Sequence, residues 1–293
     1  MIENESQFAS IPTPILVTGA YGMLGSDLVE KLKDAVGEEN VIPTDSDSLD
    51  ITNLEKVRAT LLKNAPKIVI NAAAYTNVDK AELERDKAYL INTIGPQNLA
   101  TACHEQKIQL VHFTTDFVFS GDGQHLWTET DEPNPPKPNY YAETKLWGER
   151  EVTKYPENLV LRVQWLYGKR RDRFTILKDK KVFTPFMDQY GAPTSTTHVS
   201  RVVVELLAKH AKGLFHFAYD DFTTWADVFK FVKDELNLST ELLPKRTDDA
   251  NLPAKRPLFG AMSNKKLLDF LGKDSLGSWK DPLRDFLKDK LDN

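Results

Sequence analysis

Short apolar runs alternate with amphipathic stretches along the first half of the chain. The runs have the length and β-branched content of buried strands, whereas stretches such as LEKVRATLLKNA repeat their apolar residues at helical spacing. This alternation predicts a parallel sheet whose strands are joined by crossover helices. We predict strands at residues 14–18, 40–44, 67–71, 108–114 and 159–163.

The regular alternation of apolar runs and amphipathic stretches ends after Trp165. The sequence continues with a basic run, a turn that leads into a helix, and a strand, loop and helix in GLFHFAYDDFTTWADVFKFVKDEL. We therefore predict an α/β fold, a Rossmann-type doubly wound parallel sheet with a smaller C-terminal α/β domain that binds substrate. The larger domain is placed at 11–165 with a returning segment at about 190–212, and the smaller domain at 166–189 and 213–293.

The segment GDGQHLWTETDEPNPPKPN, residues 121–139, carries four of the sixteen prolines. Proline fixes φ and removes a backbone donor, so this segment is neither a helix nor a central strand. A loop of this length is either functional or disordered. Its place between Thr115 and Tyr141, two candidate site residues, favours a rim over a substrate; a disordered surface loop is the alternative.

Three glycines at the spacing GxxGxxG follow the first predicted strand, in TGAYGMLGSDLVEKL. Gly19 allows a tight turn, Gly22 lets a pyrophosphate approach the backbone, and Gly25 lets helix and strand pack closely. A helix that opens near Met23 would present its positive end to the phosphates. Because Asp45 stands about 20 residues further on, at the end of the second predicted strand, the context predicts a dinucleotide site.

Asp45 also bears on which dinucleotide is bound. Its carboxylate can accept a hydrogen bond from a ribose 2′-hydroxyl and would repel a 2′-phosphate. The surrounding TDSDSLD contains three acids and no base, which favours NAD(H). The alternative is that these acids cap the following helix or remain in solvent.

Tyr141 and Lys145 stand four residues apart in NYYAETKLWGER and therefore share one helix face. The ordinary pKa of tyrosine is about 10, so an ammonium one turn away would lower it and help Tyr141 to give up a proton. Thr115 lies at the carboxyl end of a predicted strand, the edge of the sheet where ligands bind. Singly, YxxxK occurs on many helix surfaces and threonine is common in strands. Together the three indicate proton transfer to a substrate carbonyl.

Composition narrows the function classes further. Acidic residues number 43 and basic residues 38, a net charge of −5 that argues against a nucleic-acid partner. The single cysteine, Cys103, allows no internal disulfide and is expected in the core, and the histidines lack the spacing of a metal site. No apolar run reaches the roughly 18 residues of a membrane span, and MIENESQFAS lacks the pattern of a signal peptide. We therefore expect a cytoplasmic protein without a membrane partner.

Further stretches carry a family resemblance. In chain order, NAAAYTNVDKAE, TTDFVFSGDG, KPNYYAETKLWGE, DQYGAPTST and AKRPLFGAMSNKKL resemble the signatures of the dTDP-4-dehydrorhamnose reductases, within the extended short-chain dehydrogenase/reductases. The resemblance runs from about residue 15 to about residue 268. It implies that NADPH or NADH reduces the C4 ketone of a nucleotide-linked 4-keto-6-deoxy sugar, dTDP-4-dehydro-L-rhamnose above all. It also allows a homodimer.

The same resemblance implies roles for individual residues. Tyr141 would protonate the C4 oxygen, and Lys145 would hold the cofactor ribose and tune Tyr141. The implied cofactor contacts are Gly22, Met23 and Leu24 at the pyrophosphate, Asp45 at the adenosine ribose, Asp50 and Ile51 at the adenine, and Ala74, Tyr75 and Thr76 toward the nicotinamide. The implied substrate contacts are Val78, Thr115, Asp116 and Trp165.

The chain also departs from the family pattern. Phe117 stands where tyrosine is usual, Gln164 replaces a small hydroxyl residue, and KRRDRF replaces a turn of glycine and asparagine. The basic run 169–173 is expected either to meet a nucleotide diphosphate or to be a solvated face. Two other functions stay open: an epimerase or dehydratase acting on a nucleotide sugar, and a non-catalytic dinucleotide-binding protein similar to the regulatory subunit of methionine adenosyltransferase.

Overall fold

The computed structural model describes residues 8–123 and 125–290. The first seven residues of the polar start, Gln124 of the proline-bearing segment and the last three residues of the predicted smaller domain lie outside the described residues. No helix in the described ranges is long and apolar enough to cross a membrane. Within the same ranges, His, Cys, Asp and Glu side chains form no group of three or more that could hold a metal ion.

Strands and helices alternate through most of the chain. The strands are β1 (Ile15–Thr18), β2 (Val41–Pro43), β3 (Ile68–Asn71), β4 (Gln109–Thr115), β5 (Leu159–Val163), β6 (Leu166–Tyr167), β7 (Val182–Phe183), β8 (Tyr190–Gly191), β9 (Thr194–Ser195), β10 (Gly213–His216), β11 (Thr223–Thr224) and β12 (Glu241–Leu242). The α-helices are α1 (Met23–Val36), α2 (Leu54–Asn64), α3 (Arg85–Tyr89), α4 (Gly95–Glu105), α5 (Tyr140–Thr153), α6 (Thr196–Ala208), α7 (Trp225–Glu235), α8 (Lys265–Leu271) and α9 (Lys280–Asp289). A π-helical turn (Leu90–Ile94) joins α3 to α4, and short 3-10 helices cover Glu38–Asn40, Lys80–Glu82, Asp116–Val118, Thr175–Asp179 and Thr247–Ala250.

The central sheet has the strand order β10-β5-β4-β3-β1-β2, and every neighbouring pair is parallel. The five strands predicted from the apolar runs are confirmed, with ends within one residue of the prediction. One assignment was wrong, because β10 opens the segment that we placed in the smaller domain, yet it pairs with β5. This pairing gives hydrogen-bond partners to the backbone N–H and C=O groups on that edge of β5, and it buries Phe215 in the main core. The other domain boundaries stay a prediction.

The helix that follows β1 lies on one face of the sheet, and the helix α4 that leads from β3 to β4 lies on the other face. Helix α1 packs with α6 on one face, over a core that includes Val17, Ile70 and Leu161. Helices α2, α4 and α5 cover the other face, where Cys103 is buried as predicted. In doubly wound sheets, ligands bind outside the carboxyl ends of the strands at such a switch point.

The smaller part faces the carboxyl ends of β4 and β5 across a cleft. Its strands form two short pairs, the parallel β7–β12 and the antiparallel β8–β11. Phe183 of β7 and Trp225 and Phe229 of α7 line the cleft on this side. The arrangement leaves a crevice between the sheet and the smaller part, as the sequence predicted.

The proline-bearing segment is anchored by Trp127. The Trp127 backbone amide donates to the Ala261 carbonyl at 3.0 Å, its indole Nε1 donates to the Phe259 carbonyl at 2.8 Å, and its ring stacks on Phe119. None of the described residues of 121–139 lines the cleft. The expectation of a rim over the substrate was therefore wrong. The burial of Trp127 draws the segment to the edge of the sheet instead.

Candidate functional site

A cleft of about 1060 Å³ opens at the carboxyl ends of β1, β3 and β4, opposite the smaller part. Eleven residues predicted for the site line it: Gly22, Met23, Leu24, Ala74, Thr76, Val78, Thr115, Asp116, Tyr141, Lys145 and Trp165. Six other predicted residues are not in this lining: Gly19, Gly25, Asp45, Asp50, Ile51 and Tyr75. The glycine loop, the strand-end threonine and the YxxxK pair therefore meet in one cavity.

The glycine loop connects β1 to α1. Gly19 has φ +62°, a left-handed conformation that favours glycine. A Cβ atom on Gly25 would lie 2.0 Å from the Gly19 carbonyl oxygen, so the helix can pack this close only without a side chain there. Gly22 is the exposed N-cap of α1, and no side chain caps the first helical turn. These amides and the positive end of the helix fit the charge of a dinucleotide pyrophosphate.

Asp45 follows β2, as predicted, but its carboxylate is engaged in a local turn. Oδ1 accepts hydrogen bonds from the Asp47 amide at 3.2 Å, the Ser48 amide at 3.0 Å and the Ser48 hydroxyl at 2.8 Å. The bonds from Ser48 lower the pKa of Asp45, so the carboxylate is ionised at neutral pH. Asp50 makes the same kind of turn with Thr52. The contribution of Asp45 to ribose binding stays a prediction.

The segment after β3 is pinned by a buried asparagine that sequence reasoning missed. Asn92, in the π-helical turn, accepts a hydrogen bond from the Tyr75 amide at 2.8 Å and donates to the Tyr75 carbonyl at 3.0 Å. It also donates to the Thr144 hydroxyl on α5 at 3.2 Å. Ala74 and Thr76 consequently face the cleft while Tyr75 is buried. The available signal was an asparagine inside an otherwise helical pattern, where it is a poor helix former.

Tyr141 lies in the first turn of α5, beside Thr115. Asn139 caps this helix by accepting a hydrogen bond from the Ala142 amide at 2.9 Å, and its own amide donates to the Lys255 carbonyl at 2.7 Å. Burial raises the pKa of Tyr141 to about 12, opposed by a hydrogen bond with the Thr115 hydroxyl. Tyr141 is therefore a protonated phenol at neutral pH.

Lys145 is only 4% exposed, and its ammonium donates to the Phe113 carbonyl on β4 at 2.6 Å. Burial lowers the pKa of Lys145 to about 8, opposed by the charge of Glu149. The sequence predicted that Lys145 lowers the pKa of Tyr141, and this was wrong. The ammonium points to the strand, burial raises the tyrosine pKa, and the cation that counteracts the rise is Arg173.

Asp116 follows Thr115 and is 2% exposed. Its Oδ1 accepts a hydrogen bond from the Thr115 hydroxyl at 2.9 Å, and its Oδ2 has no hydrogen-bond partner among the described residues. Burial raises the pKa of Asp116 to about 7. This carboxyl group can therefore donate or accept a hydrogen bond in the cleft near neutral pH.

Phe117, Gln164 and Trp165 form a wall of the cleft that Tyr141 also lines. The ring of Phe117 meets the ring of Tyr141 edge-on, with centroids 5.9 Å apart. Gln164 is 2% exposed, and its Oε1 has no partner among residues 8–123 and 125–290. The next residue, Trp165, has φ +43° and stacks on Trp225 at 4.1 Å. Two of the three departures from the family pattern thus lie in the cleft wall.

The third departure is the turn at residues 168–173, here called the arginine turn. Arg170, Arg171 and Arg173 line the cleft, whereas Lys169 forms a surface ion pair with Glu30 at 3.0 Å. Arg256, from the late family signature, lines the cleft as well and pairs with Asp79 at 2.8 Å. The sequence did not single out Arg256, although the quoted AKRPLFGAMSNKKL contains it.

Buried polar groups connect the strand ends behind the cleft. The Thr18 hydroxyl donates to Asn71 Oδ1 at 2.7 Å, and Asn71 Nδ2 lies 3.1 Å from His112 Nδ1. One helical turn after Lys145, Glu149 accepts two hydrogen bonds from Arg162 of β5, at 2.5 and 3.0 Å. These groups hold the sheet and α5 in a fixed relation beneath the site.

Comparisons with known proteins agree with this geometry. The chain matches the family described as the RmlD substrate binding domain over residues 13–291. It is 33% identical over 286 residues to the spore coat polysaccharide biosynthesis protein SpsK of Bacillus subtilis, a match that covers 95% of this chain and 98% of that protein. It is 35% identical over 266 residues to dTDP-4-dehydrorhamnose reductase of Salmonella typhimurium, which covers 83% and 87% of the two chains. The crystal structure of dTDP-4-dehydrorhamnose reductase from Bacillus anthracis in complex with NADP has a TM-score of 0.87 at 30% identity, covering 95% of this chain and 100% of that chain.

Proposed function

Because this chain belongs to the dTDP-4-dehydrorhamnose reductase family, we propose that it reduces the C4 ketone of a nucleotide-linked 4-keto-6-deoxy sugar. It is an NAD(P)H-dependent oxidoreductase, and NADPH or NADH is its cofactor. The substrate that we propose is dTDP-4-dehydro-L-rhamnose and the product dTDP-L-rhamnose. The observation that carries the proposal is that Tyr141 and Thr115 share one cleft with the glycine loop.

The cofactor would be held by Gly22, Met23 and Leu24 at its pyrophosphate, and by Ala74 and Thr76 toward the nicotinamide. The bound dihydronicotinamide supplies hydride to the carbonyl carbon. The chain's own part is the proton: the Tyr141 hydroxyl donates it to the C4 oxygen as negative charge develops there. Arg173 and Thr115 both lower the pKa of Tyr141 and therefore stabilise the tyrosinate that is left. Solvent then returns a proton to Tyr141.

The state of Tyr141 also bears on the alternatives. An epimerase or dehydratase on a nucleotide sugar begins by oxidising a hydroxyl group, so its tyrosine must first accept a proton. A phenol with a raised pKa keeps its proton near neutral pH, so Tyr141 starts in the protonated state that a donor needs and not in the ionised state that a base needs. This state supports reduction over both of those reactions.

The test is to give the purified protein NADPH or NADH with dTDP-4-dehydro-L-rhamnose and to follow cofactor absorbance. Tyr141→Phe should lower kcat by about 10²- to 10⁴-fold with an unchanged cofactor Kd, because only the proton donor is lost. Tyr140→Phe is the matched control, since Tyr140 is not in the cleft lining and packs against Trp147. Unchanged turnover in Tyr141→Phe would contradict the proposed role of Tyr141 as the proton donor. Tight cofactor binding without turnover of any nucleotide sugar would favour the non-catalytic alternative.

A further inference from the structure

The charges that line the cleft are unevenly distributed. Four guanidinium groups face it, those of Arg170, Arg171, Arg173 and Arg256, and the facing carboxylates are those of Asp79 and Asp116. Arg256 is paired with Asp79. None of the three guanidinium groups of the arginine turn forms an ion pair with any described carboxylate. In a chain of net charge −5, this local excess of positive charge favours polyanionic ligands.

The arginine turn is held in place before any ligand arrives. Gly168 and Arg171 face each other in an antiparallel bridge, with the Arg171 amide 3.1 Å from the Gly168 carbonyl. Asp172 Oδ1 accepts hydrogen bonds from the Phe174 and Thr175 amides at 2.7 and 3.1 Å. These backbone and Asp172 contacts order the turn, whereas the exposed ion pair of Lys169 with Glu30 adds little to that order. Groups positioned in this way lose less conformational freedom when they bind a ligand.

The two ends of the turn serve different parts of the cleft. Arg170 Nη1 donates to the Tyr21 carbonyl at 3.1 Å, directly before the Gly22 N-cap of α1. Its guanidinium therefore lies beside the amides that fit a dinucleotide pyrophosphate. Arg173 lines the cleft with Tyr141, and its charge lowers the pKa of Tyr141. Burial and, after it, the charge of the neighbouring Arg171 lower the pKa of Arg173 itself.

We propose that the arginine turn is a divided anion clamp. Arg170 binds the pyrophosphate of the dinucleotide, and Arg173, together with Arg171, binds the diphosphate of the sugar nucleotide. The second half rests on the proposed function, whereas the first requires only that a dinucleotide binds. Guanidinium groups suit both ligands because they form paired, charge-assisted hydrogen bonds with phosphate oxygens.

The test compares single substitutions in one turn by calorimetric titration of the full chain with NADPH and, separately, with dTDP. Arg170→Gln should weaken NADPH binding by about 10-fold or more and leave the dTDP Kd within about 2-fold. Arg173→Gln should weaken dTDP binding by about 10-fold or more and leave the NADPH Kd within about 2-fold. Lys169→Gln is the matched control from the same run, because its ammonium is bound to Glu30 outside the cleft, and both Kd values should stay unchanged. Equal melting temperatures among the variants would show that the overall fold is intact.

Several outcomes would overturn the clamp. Equal NADPH affinities of Arg170→Gln and Lys169→Gln would remove its cofactor half. Absence of dTDP binding by the unaltered protein, or an unchanged dTDP Kd in Arg173→Gln, would remove its substrate half. If both arginine variants weakened NADPH alone, the turn would be a cofactor clamp only and the division would be wrong. Because these are binding measurements, a failure of the reductase assay would be distinguished from a failure of the clamp.

Discussion

The sheet side of the cleft holds its functional side chains by buried hydrogen bonds, whereas the opposite side holds them by a backbone turn and ring stacking. On the sheet side, Lys145 is bonded to a strand carbonyl, and Asp116 is bonded to Thr115. On the opposite side, a backbone bridge and the Asp172 hydrogen bonds order the arginine turn, and Trp165 stacks on Trp225. The first arrangement fixes the charge states of groups that transfer protons. The second leaves the guanidinium groups of the arginine turn without an ion pair to any described carboxylate, so that they can bind an anionic ligand.

The two sides also differ in how many of their ionisable groups are buried. Desolvation shifts the pKa values of Asp116, Tyr141 and Lys145 on the sheet side. On the opposite side, Arg170 and Arg171 are exposed to solvent. Substitutions on the sheet side should therefore change stability and pH dependence, and those on the other side should change ligand choice. Three experiments test this contrast between the two sides of the cleft.

The largest effect is expected at the buried pair of Glu149 and Arg162. Glu149→Gln should lower the free energy of unfolding by about 3–5 kcal/mol, since it leaves the Arg162 charge buried without its partner. It should also lower the pKa of Lys145, because the Glu149 charge raises that pKa. Arg162→Gln should be similarly destabilising and raise the pKa of Lys145, because the Glu149 charge is then uncompensated.

The measurement is the pH dependence of Lys145 acetylation by acetic anhydride, read by mass spectrometry. His112, which faces Lys145 from β4, stays neutral in this range because burial lowers its pKa well below 6.5. A double variant with methionine at 149 and 162 should recover much of the stability. Shifts of the lysine titration in the same direction for both single variants would contradict the electrostatic link.

The next effect concerns Asp116, whose burial raises its pKa from 3.8 to about 7. A raised carboxyl pKa means that stability is greatest below the unfolded pKa and falls as pH rises through the folded one. Asp116→Asn removes that ionisation. The free energy of unfolding of the variant minus that of the unaltered protein should therefore be larger at pH 8 than at pH 4, by on the order of 3 kcal/mol. Urea unfolding at both pH values measures this, and an equal difference at both would refute it.

The smallest effect on stability is expected on the cleft wall. Gln164→Ser and Phe117→Tyr restore residue types usual in the family, and each should change the unfolding free energy by about 1 kcal/mol or less. Each should change the ratio of kcat/KM values between dTDP-4-dehydro-L-rhamnose and other 4-keto nucleotide sugars by about 10-fold, because wall contacts set specificity. Chromatographic product analysis with paired substrates measures that ratio. An unchanged ratio in both variants would show that Phe117 and Gln164 do not set substrate specificity.

Local patterns predicted the sheet side well. The apolar runs placed β1 to β5 within one residue, and the glycine spacing placed the start of α1 at Met23. Short-range patterns cannot give the partners of a buried side chain, which come from distant parts of the chain. Asn92 binds the Tyr75 backbone, Trp127 binds the Ala261 carbonyl, and β10 pairs with β5. In each case the two partners are well separated in the sequence, so local patterns did not predict the contact. The tyrosine pKa was missed because the depth of burial is a property of the packed cleft.

The stacked indoles of Trp165 and Trp225 have a practical consequence. One ring follows the last residues of β5 and the other opens α7, so the pair spans the boundary between the sheet and the smaller part at 4.1 Å. Both rings also line the cleft. Any opening of this boundary separates two fluorophores in van der Waals contact, and any ligand that enters changes their surroundings. The emission of these two tryptophans should thus report cleft width during a titration without an added label.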